Sequence, residues 1–321
     1  MKLMLTIDGG GIRGIIPAEI CAELEDKTKK QIFQIFDMIS STSTGAILGS
    51  QLAVGVPAQQ CRDLYLKKGP KLFDSRSKLL PWNWFREKYD RKPIMDELKK
   101  SFKDDSPLKH ANPQMKNCLT NYMCTSVSLV DERNHFFKSW DIKDEKLNLL
   151  DCVARSFAAA YYFGAINDPK NNQVWADGGE GGDNCTIREC IMEAIKMDWI
   201  QNEGVYILSL GCGAPKPGIP YKKASRMRWV GETKFYMNLA RRQSAIDQVY
   251  EGKVLEDKMK QKIIIDRLDI QIPKKMDELD AVKYAADFSK MTIEQLFPKS
   301  LINALANIKK AQIKKIDVKK P

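Results

Sequence analysis

The chain has 321 residues, 43% of them hydrophobic, and its 52 Lys and Arg against 41 Asp and Glu give a formal net charge of +11. That composition excludes a disordered or fibrous chain and leaves room for one large α/β domain or two smaller ones. The basic balance favours an anionic partner (nucleic acid, acidic lipid head groups or an acidic protein), and a basic surface with no special partner is equally compatible.

The eight cysteines form no CxxC pair and no Cys/His spacing of a zinc site, so they read as reduced thiols with no metal expected. The apolar start is too short for a signal peptide. No stretch approaches the ~20 apolar residues of a spanning helix. Ala46 to Val54 comes nearest, and Gly49, Ser50 and Gln51 interrupt it.

Lys2 to Ile7 predicts a first strand, followed by Asp8-Gly9-Gly10-Gly11-Ile12-Arg13-Gly14. A helix is expected next, with Pro17 in its first turn and Ile16, Ile20 and Leu24 spaced by four. Phe36 to Ser40 reads as a short second strand. Ser41-Thr42-Ser43-Thr44-Gly45 follows, and then an apolar helix through Leu52 with no polar face, expected to be buried. Residues 57–116 read as irregular and polar with helical pieces. Cys118 to Leu129 and His135 to Trp140 predict two strands joined by a charged turn. Leu147 to Tyr162 predicts a helix, and Gln173 to Ala176 a strand entering Asp177-Gly178-Gly179. Helix Thr186 to Ile200 and strand Val205 to Leu210 follow, then a helix near Glu232 to Tyr250, a strand near Lys262 to Ile272, and helices to the end. Strands alternating with helices argue for a mostly parallel sheet covered on both faces.

Three motifs carry chemistry. Gly9, Gly11 and Gly14 match a G-x-G-x-x-G dinucleotide loop, but that reading wants an acidic residue ending the second strand, and Asp37 stands at its start instead. The alternative makes the amides of Gly9, Gly10 and Gly11 oxyanion donors, worth about 2.7–4 kcal/mol each in acyl transfer, with Arg13 as an accessory charge. A tight turn with no ligand is the bland alternative. Ser41 to Gly45 resembles a G-x-S-x-G nucleophile elbow with Ser in place of the first Gly, or else an N-capping Ser/Thr cluster. The chain's two histidines, His110 and His135, both precede Asp177, against the Ser-acid-His order of α/β-hydrolases. Asp177, which ends a strand before two glycines, is the better base for Ser43, although Asp-Gly-Gly is also a common turn.

Together these motifs resemble the patatin-like phospholipases: Asp8 to Gly14, Ser41 to Gly45 and Asp177 to Gly179 match the family's three signatures. Lys68 to Phe73, Ala154 to Phe163 and Leu208 to Gly213 resemble softer segments of the family. The main departure is Ser41 for Gly. The resemblance covers most of residues 1–215 and implies a three-layer α/β fold with a mostly parallel central sheet. It implies Ser43 as nucleophile and Asp177 as proton acceptor. It implies Gly9, Gly10 and Gly11 as oxyanion donors, and Gly14, Ser41, Gly45, Gly178 and Gly179 as motif positions. It implies hydrolysis of phospholipid acyl esters through an acyl-enzyme, with no metal or organic cofactor. The alternatives are hydrolysis of other acyl esters, or a ligand-gated or catalytically weak binding domain. Residues 1–290 are expected to form the patatin-like domain and 291–321 a basic helical extension.

Trp82-Asn83-Trp84-Phe85 reads as a lid, a membrane-insertion patch or a satellite core. Lys299 to Pro321 holds seven Lys and one Asp, with Leu301, Ile302, Leu305 and Ile308 among them. It suits either a basic helix on anionic lipid or a frayed terminus. Nucleic acid is not expected, since no binding motif appears. The chain is expected to be cytoplasmic, peripherally associated with a phospholipid surface, with a small-molecule or protein activator compatible with the resemblance.

Overall fold

The computed structural model describes residues 1–73, 87–160, 162–215, 233–259, 262–272, 299–303 and 305–306. In chain order its strands are β1 (Lys2–Ile7), β2 (Met38–Ser41), β3 (Asn121–Ser128), β4 (Arg133–Lys138), β5 (Ile166–Asp168), β6 (Gln173–Asp177), β7 (Val205–Leu210), β8 (Ala214–Pro215), β9 (Ile263–Leu268) and β10 (Gln271–Ile272). One sheet has the order β5-β6-β3-β2-β1-β7-β9, with β4 also on β3, and β8 pairs with β10 separately. Strands β3, β2, β1, β7 and β9 are parallel. Strands β4 and β6 run antiparallel to β3, and β5 antiparallel to β6.

Near-continuous apolar strands are what a sheet buried on both faces requires. In β1, Leu3, Leu5 and Ile7 enter one core while Met4 enters the other. In β7, Tyr206, Leu208 and Leu210 divide from Val205 and Ile207 in the same way. The alternation follows from the two-residue period of a strand. It produces three layers, as the resemblance implies. The first core is covered by α1 (Ile15–Thr28), α2 (Thr44–Ala53), α3 (Lys92–Asp104) and α4 (Leu149–Ser156). The second is covered by α5 (Ile187–Lys196) and α6 (Thr233–Lys258). Each fully buried Leu or Ile contributes roughly 1.5–3 kcal/mol relative to exposure, so β1 and β7 anchor the fold.

Every residue of α2 is buried, as its unbroken apolar face requires. Its polar residues are satisfied internally: Ser50 Oγ and Gln51 Nε2 donate to the Ile47 carbonyl, and Gln51 Oε1 accepts from Ser101 of α3. One element sharpens the sequence reading and another differs from it. The segment read as irregular with helical pieces contains α3, thirteen residues long, whose Ile94, Leu98 and Phe102 are buried at four-residue spacing. The helix expected to reach Tyr162 ends at Ser156, because the following residues fold into turns on the Ala159 carbonyl, which accepts from Tyr162, Phe163 and Gly164. Trp82 to Phe85 lie outside the described residues. Leu301 is buried in the first core and Leu305 packs against it, so these two side chains face protein.

Candidate active site

Ser43 stands between β2 and α2 with φ 57° and ψ −125°, a left-handed conformation that a residue with a Cβ adopts only under constraint. The surroundings supply that constraint. The Ser43 amide donates to Ser156 Oγ at 3.0 Å, and the Thr42 amide donates to the Ile7 carbonyl at 3.1 Å. Thr42 Oγ1 donates to the Asp183 carbonyl at 2.7 Å. On the helix side, Tyr65 OH donates to the Thr44 carbonyl at 3.0 Å and lies 2.9 Å from Thr44 Oγ1. Tyr65 belongs to a π-helical turn, Leu64–Lys68. Such turns are rare and often mark functional sites. Gly45 lets α2 cross β1 closely, since a Cβ there would stand 2.7 Å from the Asp8 carbonyl oxygen and nearer still to that of Ile7. Ser43 itself is only half-buried.

The serine in place of the elbow's first glycine has an explanation. Ser41 Oγ donates to Tyr122 OH at 3.1 Å. Gly49 of α2 leaves room for it, because a Cβ on Gly49 would lie 2.9 Å from that oxygen. The crowding is relieved from the helix side.

Asp177 ends its strand, as read from the sequence, and that strand lies where the sheet departs from parallel pairing. Strand β6 is antiparallel to β3. The edge of β3 opposite β4 pairs first with β2, Cys124 facing Ser41, and then with β6, Ser126 facing Asp177. The ends of β2 and β6 therefore point at each other along one edge of β3. One residue of β3, Thr125, lies between the facing positions, a span of about 7 Å of strand. The meeting is possible because β3 has 8 residues and β2 only 4. Thr125 bridges the junction: its Oγ1 lies 2.9 Å from Thr42 Oγ1, and Gly178 is packed on its side chain.

The end of α4 touches both sides. Ser156 holds the Ser43 amide, and the Ala158 carbonyl accepts from the Asp177 amide at 3.1 Å. Asp177 is 1% exposed, and its Oδ1 accepts from the Gly179 amide at 2.8 Å, which orients the carboxylate.

The glycine loop closes over Ser43. A Cβ on Gly9 would stand 2.7 Å from Ser43 Cβ, 3.4 Å from Ser43 Oγ and 2.6 Å from Asn184 Oδ1. Asn184 Nδ2 donates to the Gly9 carbonyl at 3.4 Å. Among the described residues, none accepts a hydrogen bond from the amides of Gly9 or Gly10. Arg13 flanks the loop, its Nε 3.7 Å from the place of a Cβ on Gly10. A half-exposed hydroxyl, an oriented carboxylate and uncommitted amides are thus gathered at one place. Such an arrangement suits nucleophilic attack on an ester with a developing oxyanion.

Other readings of these residues lose support. Asp37 sits at the start of β2, away from the glycine loop, where it accepts from the Leu3 amide and pairs with Lys2, both at 3.0 Å. His110 is exposed, its Nδ1 accepting from the Asn112 amide. His135 packs on Phe137 and Trp175, with its Nε2 3.7 Å from Asp144. A crevice of about 460 Å³ lined by Phe33, Asp37, Lys116, Asn121 and Trp140 lies at the opposite end of β2 and shares no residue with this site. Among the described residues no group of three His, Cys, Asp or Glu is placed to hold a metal ion. Sequence reasoning missed Ser156, Thr125 and Asn184. Ser156 lies in the Ala-rich segment already noted, while Thr125 and Asn184 carry no local signal.

The patatin-like phospholipase family matches residues 5–191, and the chain belongs to that family. It is 30% identical over 186 residues to a cGAMP-activated phospholipase of Pseudomonas aeruginosa, covering 55% of this chain and 52% of that protein. It is 25% identical over 283 residues to patatin-like protein 4 of Arabidopsis thaliana, covering 78% and 69%. The chain thus spans about half the length of the first relative. Among solved structures it is similar to VipD of Legionella pneumophila, with TM-score 0.43 and 12% identity, covering 95% of this chain and 67% of that one.

Proposed function

We propose that the chain is a phospholipase of the A type that hydrolyses fatty-acyl esters through a Ser43–Asp177 dyad. The carrying observation is the head-on meeting of β2 and β6 on β3, which brings the strained, half-exposed Ser43 and the oriented Asp177 to one junction beneath the glycine loop. Ser43 Oγ attacks the ester carbonyl while the Asp177 carboxylate accepts its proton. The amides of Gly9, Gly10 and Gly11, with Arg13 beside them, hold the oxyanion of the tetrahedral intermediate. Asp177 returns the proton to the departing lysolipid alkoxide, leaving an acyl-Ser43 ester. It then takes a proton from the water that attacks this ester. Collapse releases the fatty acid, and the proton returns to Ser43.

Access to the substrate is peripheral in this reading. No described helix is long and apolar enough to cross a membrane. The net charge of +11 favours anionic lipid. A ligand-gated activity is compatible with the name of the Pseudomonas relative. Fatty-acid release from phospholipid vesicles tests the proposal: wild type should release it, and Ser43→Ala and Asp177→Asn, folded by circular dichroism, should not. Undiminished release by Ser43→Ala would overturn the reading.

A further inference from the structure

Asp8 opens the glycine loop yet takes no part in the chemistry above. It is 3% exposed and held at every polar group. Its amide donates to the Leu210 carbonyl at 3.0 Å, and its carbonyl accepts from Cys212 Sγ at 3.2 Å. Its carboxylate meets Arg267 of β9 in a two-pronged pair, Nη2 to Oδ2 at 2.6 Å and Nη1 to Oδ1 at 3.3 Å. Arg267 lies well past the family match, which ends at residue 191.

Arg267 is itself fixed. Nη1 donates to Ser209 Oγ of β7 at 2.8 Å, and Nη2 pairs with Asp269 at 2.8 Å. Asp269 Oδ1 accepts from the Gly213 amide at 3.0 Å, and its carboxylate fills the space beside Gly211. The end of β9 thereby ties together the end of β7, the Gly211–Gly213 turn and the first residue of the glycine loop. The guanidinium side chain is 13% exposed and the Asp8 side chain 4%, so water screens the pair little. Burial opposes the charge of Arg267, but the carboxylates of Asp8 and Asp269 outweigh it, and Arg267 lies well above its ordinary range. Two planar groups joined by paired hydrogen bonds fix orientation as well as distance, which a lysine cannot do.

We propose that Arg267, braced by Asp269, is the positioning residue of the glycine loop. Through Asp8 it sets where the Gly9 and Gly10 amides stand over Ser43. The proposal rests on the reading of those amides as oxyanion donors. A buried ion pair is a weak source of net stability, and its value here is geometric. Asp8 adjoins Gly9, and Gly9 is in van der Waals contact range of Ser43. Release of the carboxylate therefore moves the donors.

The test uses a soluble p-nitrophenyl ester, with active sites counted by fluorophosphonate labelling so that turnover is expressed per competent site. Arg267→Gln should lower kcat ~10–100-fold, as expected for donors displaced by a fraction of an ångström, with KM unchanged. Arg267→Lys, which keeps the charge and loses the second prong, should recover part of that loss. Wild-type turnover per labelled site in Arg267→Gln would overturn the clamp. If Arg267→Gln does not fold, wild-type turnover per site in Arg267→Lys would overturn it equally. A loss expressed wholly in KM would also count against it. Ester turnover that persists in Ser43→Ala would instead overturn the underlying dyad reading, whatever Arg267 does.

Discussion

Gly9→Ala is the sharpest perturbation of the site, because the added methyl has a defined obstacle. Its carbon would stand 2.7 Å from Ser43 Cβ and 2.6 Å from Asn184 Oδ1. Carbon atoms rest about 3.5–4.0 Å apart, so the loop and Ser43 must separate by about 1 Å. Ser43 yields poorly, since its amide is held by Ser156 and its φ is already 57°. A displacement of that size at a reacting group costs about 100-fold in rate, or about 2.7 kcal/mol of barrier. The overpacking itself should cost about 1–3 kcal/mol of stability. Turnover of a soluble ester per fluorophosphonate-titrated site measures the first quantity, and thermal unfolding by circular dichroism the second. Gly11→Ala is the control: a Cβ there meets nothing within 4 Å, and only its φ of +62° opposes it. It should lose far less turnover per site than Gly9→Ala. Near wild-type turnover in Gly9→Ala, or equal losses in both variants, would show that the loop does not close on Ser43 in this way.

Ser156→Ala removes the acceptor of the Ser43 amide and leaves a buried donor unmatched. It should lower stability by about 1–3 kcal/mol and ester turnover by roughly tenfold, since the elbow loses one of its restraints. Glu189 is pushed up from 4.5 to about 7, first by burial and then by Asp183. The folded protein therefore binds more protons than the unfolded chain between those values, and stability falls as pH rises through that window. Glu189→Gln should leave the unfolding temperature unchanged near pH 4 and raise it near pH 8, by at most about 3 kcal/mol of stability. An equal shift at both pH values would contradict the assignment. Binding to anionic vesicles should weaken steeply as salt shortens the screening length from ~10 Å at 0.1 M to ~3 Å at 1 M. Salt-independent binding would remove the basic charge from the account.

Much of the fold was legible because its central strands are apolar runs closed by glycine. Lys2 to Ile7 and Val205 to Leu210 were read with their observed ends. Helix α2 was read as buried because it has no polar face. Helix α3 was legible only as one of the helical pieces of residues 57–116, without its bounds, although Ile94, Leu98 and Phe102 keep a four-residue period, because lysines and acidic residues dominate the segment around them. The three motifs were found in the order the fold uses them, but the direction of β6 was not. Five residues of strand carry no mark of parallel or antiparallel pairing. The meeting of Asp177 with the elbow depends on β3 outrunning β2, which is a property of register. The Asp8–Arg267 pair spans most of the chain, and neither residue has a local pattern that names the other. Ser41 was read as a departure from the elbow, and its tolerance depends on Tyr122 and Gly49, which pattern reading does not connect.

The most direct test of the central claim is peptide mass spectrometry of the protein after reaction with a fluorophosphonate. One phosphonylated residue, Ser43, is expected, with the adduct slowed severely in Asp177→Asn and Gly9→Ala. An adduct on any other serine, or an unmodified Ser43 in folded protein that still releases fatty acid, would contradict it.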